Sequence, residues 1–178
     1  MKKILFLISI LTITFSSCKK DIGINKNKIT QGEVQFTFNN GVTLKQCLNA
    51  VKGIGAVNYE ISNFYYTKTI PNDSMIYYFN VFKSCSYIKT FDIFKKTGDP
   101  FTRFRGFSFP NLDYINYSKW DSLVQKEKLI EMPDGGDGST RGGILHISIG
   151  QEKTWIDRLK ALPEIKSADY IYEWSGPE

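Results

Sequence analysis

The sequence predicts an α+β domain in which two β-α-β units enclose a long, aromatic-rich and mainly β insertion. Three observations carry this expectation. Alternating, helically spaced and again alternating apolar residues follow one another from Val34 to Ile61. The same succession returns from Leu145 to Trp174. Between the two, residues 62–144 are dense in Phe and Tyr and broken by turn signals.

Taken in order, Glu33-Val34-Gln35-Phe36-Thr37-Phe38 alternates, so Val34, Phe36 and Phe38 face inward on a strand. Asn39-Asn40-Gly41 is a turn. Leu44, Leu48 and Val51 keep helical spacing, with Thr43 placed to cap and Gly53 and Gly55 to end the helix. Val57, Tyr59 and Ile61 resume alternation, and Phe64 to Ile70 extends that strand. Pro71-Asn72-Asp73-Ser74 turns the chain, and the aromatic run Met75 to Phe82 reads as a returning strand. Cys85 to Phe94 fits a helix through Phe91 and Phe94 and a strand through Phe91 and Ile93. Thr97-Gly98-Asp99-Pro100 breaks the chain, and Phe101 to Phe109 is a strand ended by Pro110. Ser118 with Asp121 suggests a capping box opening a helix that carries Trp120, Leu123 and Val124. The Gly-rich stretch 133–143 is a loop. Leu145, Ile147 and Ile149 then alternate. Trp155, Leu159 and Leu162 keep helical spacing with Thr154 before them, and Ala168, Tyr170, Tyr172 and Trp174 alternate.

An offset of 111 carries the first succession onto the second without a gap. Val34 maps to Leu145, Phe38 to Ile149, Leu48 to Leu159 and Tyr59 to Tyr170. Thr43/Thr154, Leu48/Leu159, Ala50/Ala161, Ile54/Ile165 and Tyr59/Tyr170 are identical pairs. This reads as one β-α-β unit used twice. Two such units in one chain resemble the ferredoxin-like arrangement. The long middle departs from its simplest version and implies a larger antiparallel sheet.

The N-terminal end has a different character. Met1-Lys2-Lys3 precedes an apolar run from Ile4 to Phe15 and then Ser16-Ser17-Cys18. A basic start, a short apolar stretch and small residues before a cut site describe a secretory signal. The run is shorter than the roughly 20 residues needed to span a bilayer. Phe15-Ser16-Ser17-Cys18 resembles the lipobox of bacterial lipoproteins, with Phe15 in place of the usual Leu, and the Cys-Lys-Lys-Asp start is similar to surface lipoproteins of the Bacteroidota type. That resemblance implies cleavage before Cys18, acylation there with palmitate-like chains, and residence in the cell envelope. The outer membrane is the expected site, on its periplasmic or surface-exposed face. Two or more acyl chains hold a protein stably where one does not. The chain then divides into a signal peptide (1–17), a lipidated flexible tether (18–32) and a single α+β domain (33–178).

Lys2 and Lys3 leave with the signal, so the 23 basic and 18 acidic side chains become a net +3 in the mature chain. Residues 18–105 carry +7 and residues 106–178 carry −4, an asymmetry suited to an anionic partner on one side. An oxidising compartment permits a disulfide between Cys47 and Cys85. Equally, Cys47 lies on the apolar side of its helix, where buried free thiols are common.

The catalytic inventory is thin. His146 is the one histidine and points away from the face of Leu145 and Ile147. One His with two distant Cys does not make the usual zinc set. The loop before the first helix lacks the paired Cys of ferredoxin-like metal carriers. Asp134 and Asp137 lie in a glycine-rich loop of a kind that can offer oxygens to calcium, without the EF-hand spacing. No cofactor or resident metal is expected. Arg105-Gly106-Phe107-Ser108-Phe109 resembles part of the aromatic strand of RNA-recognition motifs, but Pro110 interrupts it and export removes the chain from cellular RNA, so nucleic acid is not an expected partner. The expectation is a non-enzymatic, membrane-anchored binding or envelope-assembly protein with an envelope protein or glycan as ligand. The alternatives are a protease-inhibitor or propeptide-like module, which the final β-α-β segment and the tail from Glu173 to Glu178 resemble, and a hydrolase with an unrecognised site.

Overall fold

The computed structural model describes residues 28–132 and 140–173. In chain order these form β1 (Ile29–Phe38), α1 (Leu44–Gly53), β2 (Tyr59–Lys68), α2 (Ser74–Lys83), β3 (Thr90–Lys95), β4 (Thr102–Pro110), α3 (Tyr114–Glu127), β5 (Ile130–Glu131), β6 (Gly142–His146), α4 (Glu152–Lys160) and β7 (Ile165–Tyr172). The fold is α+β. Among the described residues it has four helices and one seven-stranded antiparallel sheet of order β3-β4-β2-β6-β1-β7, with β5 beside the far end of β2.

The 111-residue offset reappears in the strand pairing. Val34 of β1 lies opposite Leu145 of β6, its own equivalent. Tyr59 of β2 opposes Leu145, and Tyr170 of β7 opposes Val34, so the two outer pairings exchange under the same shift. A one-residue slip would turn every side chain to the other face, so agreement of these registers is a stringent match. Helices α1 and α4 bury the equivalent leucine: Leu48 on α1 and Leu159 on α4 are each 0% exposed.

Cross-strand partners share a face, which places Val34, Phe36, Leu145, Tyr59, Ile61, Phe109 and Ala168 on one side of the sheet. These residues join the buried faces of the helices in a single apolar cluster. The insertion extends it. Trp120 of α3 packs on Tyr66, Phe107 and Phe109, and Phe82 of α2 on Phe104 and Phe107, with ring centroids 5.0–5.4 Å apart. Trp120 also donates its indole N–H to the Tyr66 hydroxyl at 2.9 Å, so a buried donor is satisfied. The opposite face is polar, with Glu33, Gln35, Thr37, Glu60, His146 and Ser167 exposed or half-buried. In the centre, a Cβ on Gly143 would run into the Glu60 carbonyl oxygen and the ring edge of Phe36. The glycine is what lets β6 lie between β1 and β2.

Four boundaries differ from the sequence reading. Met75–Phe82 is helical, not a strand. Its buried residues Tyr78 and Phe82, with partly buried Met75, keep 3/4 spacing, which aromatic composition had disguised. Helix α3 starts before Ser118, because the Asp113 carboxylate accepts from the Asn116 N–H at 2.7 Å and caps it there. Helix α4 starts at Glu152, so Thr154 lies inside it, whereas Thr43 does cap α1 through a full capping box. Finally, β1 begins at Ile29, within the expected tether. Its positive-φ Gly32 donates to the Glu152 carboxylate at 2.8 Å and binds the start of the sheet to α4.

Both cysteines of the described residues are free thiols, and the Cys47–Cys85 pairing weighed from the sequence is not made. Cys47 is fully buried beneath α1, where burial pushes its thiol well above the usual range. Cys85 follows α2 and its thiol faces the Val81 carbonyl at 3.3 Å. Native protein should therefore alkylate at Cys85 first, and at Cys47 only after denaturation. Mass spectrometry without reductant checks this, and a denatured chain that takes up no alkylating agent restores the disulfide.

Candidate functional site

Cys18, Asp134, Asp137 and the tail from Trp174 lie outside the described residues. His146 ends β6 on the polar face. Its Nδ1 lies 3.1 Å from the Glu33 carboxylate of β1, its register partner, in a cross-strand pair of the kind that stabilises sheets. The imidazole borders a hollow of about 510 Å³ lined by Asn58, Ser148, Gln151 and Trp155. The Arg158 guanidinium stacks on Trp155 at 4.9 Å. Nearby, Glu60 accepts from Lys89 at 2.6 Å and from the Ser108 hydroxyl, and these contacts hold its carboxyl below the usual range despite partial burial. Among the described residues, no three His, Cys, Asp or Glu side chains gather as a metal site would require.

The most buried charged cluster is a brace. Arg141, just before β6, is almost fully buried and donates to the carbonyls of Val42 and Met132, the latter at 2.6 Å. It pairs with Glu131 at 3.1 Å and lies over the Phe64 ring at 4.9 Å. Glu131 in turn accepts the N–H of Leu44 at 3.0 Å, placing a carboxylate at the N-terminus of α1. Through the Val42, Met132 and Leu44 backbone groups the cluster holds the loops around β5 and β6 together, while the Arg141 Nε is buried without a partner among the described residues.

The apolar surface tells a different story. Helix α2 buries one side in the core and leaves Ile76 73% and Phe79 47% exposed on the other, with Tyr77 beside them. Between this side and β3 runs a groove of about 330 Å³, lined by Met75, Ile76, Phe79, Phe91, Asp92 and Ile93. Phe79 and Phe91 meet across it with centroids 5.5 Å apart. β3 is the last strand of the sheet and pairs with β4 alone among the described residues. Its outer edge therefore offers unpaired main-chain donors and acceptors beside an apolar trough. Basic side chains mark both ends: Lys83 lies 5.7 Å over the Phe79 ring, and Lys95 and Lys96 line the hollow that continues past Met75 and Ile93. Asp92 is already engaged by Arg105 at 2.9 Å.

Reading Met75–Phe82 as a strand hid this groove. The available signal was an excess of apolar residues on every side of a short helix, more than one core-facing stripe uses. Fold and surface together define an α+β domain with an open apolar strand edge. No known family, curated protein or solved structure matches the chain.

Proposed function

We propose that the protein is a bacterial envelope lipoprotein, held to the membrane through acylated Cys18, and that its domain is a non-enzymatic docking module. The α2–β3 groove is its binding surface. We also read the β7-β1-β6-β2 portion of the sheet, with α1 and α4 as its crossover helices, as the ferredoxin-like core onto which β4, β3, α2 and α3 were added. The observation that carries the docking role is the exposed apolar side of α2 beside an unpaired strand edge. Contiguous apolar surface on a water-facing domain marks interaction sites. The position suits the anchor as well. β3 lies four strands from β1, so about 19 Å of sheet separates the groove from the strand that the tether enters. Among the described residues no helix is long and apolar enough to cross a membrane.

One experiment in cells tests both parts. The wild type should take up a fatty-acid probe and sediment with membranes, and Cys18→Ser should do neither. A photo-crosslinking residue at Ile76 should trap one defined protein, while the same residue at exposed Lys160 on α4 should not. Membrane retention unchanged in Cys18→Ser overturns the anchor, and equal trapping at both positions overturns the docking surface.

A further inference from the structure

We infer that the groove takes an extended peptide segment of a partner protein, which adds to β3 as a further strand, seats alternate apolar side chains against α2 and carries acidic residues at its ends. This rests on the docking reading above and specifies its chemistry. Strand addition needs an open edge for main-chain hydrogen bonds and a trough for every second side chain. Both are present. The edge of β3 runs the length of Thr90–Lys95, and Phe91 and Ile93, two residues apart on one face, form the trough wall opposite Met75, Ile76 and Phe79. A helix docking instead would use the trough and leave the edge unpaired.

Charge chooses the occupant. Lys83, the last residue of α2, holds its ammonium over the Phe79 ring, which meets Phe91 near the start of β3. Lys95, which also donates to the Ile70 carbonyl, and Lys96 stand where β3 ends. Asp92, the acidic side chain on the groove, is neutralised by Arg105. An anionic residue at either end of an added strand therefore meets a lysine. A second copy of this chain fits worse, because its own stretch 89–96 offers these lysines a single acidic side chain, Asp92, which Arg105 already holds.

The test uses the mature chain carrying Cys18→Ser and a fluorescent peptide of about eight residues, alternating valine and threonine between paired aspartates. Anisotropy should show saturable binding that Phe79→Asp abolishes. Phe79 is half exposed, so circular dichroism should confirm an unchanged fold. Replacing the aspartates with lysines should weaken binding by at least about tenfold. N-methylating the amides along one edge of the peptide should abolish binding, while methylating those along the other edge should leave it. No binding by the aspartate peptide, equal binding by both methylated forms, or equal binding by the lysine peptide overturns the inference. So does a dimer in sedimentation that Ile76→Asp dissociates, since a second copy then owns the edge. Persistent trapping at Ile76 alongside any of these failures leaves the docking surface standing without strand addition. Loss of that trapping removes the docking reading itself.

Discussion

Arg141→Ala should destabilise the domain by about 3–5 kcal/mol, the range for breaking a buried ion pair from one side. Its guanidinium serves two carbonyls, one carboxylate and one ring at once. Truncation orphans the Val42 and Met132 carbonyls and leaves Glu131 facing the interior without its counter-charge. Urea unfolding of the variant beside the wild type measures the loss, and a cost under about 1 kcal/mol would show that water replaces the guanidinium freely. Adding Glu131→Gln should recover part of the stability, because the unpaired charge goes while an amide oxygen still accepts the Leu44 N–H. The pH dependence gives an independent check. Burial holds the Glu131 carboxyl above the ordinary carboxylate range even with Arg141 beside it. Without Arg141 it must rise further. A carboxyl raised in the folded state binds its proton more tightly there than when unfolded, so folding gains stability as pH falls. The deficit of Arg141→Ala relative to wild type should therefore shrink on going from neutral pH towards the raised Glu131 range.

The brace also shows where sequence reasoning stops. Arg141 and Glu131 are separated by a glycine-rich loop, and neither belongs to an apolar period. Only the folded path of β5 and β6 brings them to the start of α1. The outer frame was legible for the opposite reason. Val34, Phe36 and Phe38 repeat every second residue, and Leu44, Leu48 and Val51 follow a helical period, so each pattern states its own structure. The larger antiparallel sheet was legible too, from the length of the middle segment, but α2 and α3 make that insertion at least as helical as it is β. In Met75–Phe82 nearly every residue is apolar or aromatic, so periods of 2 and 3.6 fit equally and composition tipped the reading to strand. Because α2 was missed, the groove was missed with it. Ser118 and Asp121 misled differently. Their spacing mimics a cap, but the Ser118 carbonyl accepts from the Ser122 hydroxyl inside the helix at 2.8 Å.

Truncating either Leu48 or Leu159 should cost about 2–5 kcal/mol, because transfer energy is lost and a cavity remains in a core that relaxes only in part. The two positions are equivalent under the 111-residue offset, sit on the buried sides of α1 and α4, and are each fully enclosed. Surface controls need choosing with care. Lys52 faces outward by helical spacing, yet its ammonium lies 5.1 Å from the centroid of the Tyr59 ring, so its removal also strips a stacked contact. Lys45 and Lys160 are exposed on the same two helices and should change stability by no more than about 0.5 kcal/mol as alanines. Chemical denaturation of the chain begun after Cys18 compares all four. Similar large losses at both leucines are what a doubled β-α-β unit requires, since each helix then closes its own half of one sheet. A leucine variant as mild as the lysine controls would mean that its helix does not close that half. The doubled unit would then survive only as a coincidence of spacing, and the proposed ferredoxin-like core would lose one of its two crossover helices.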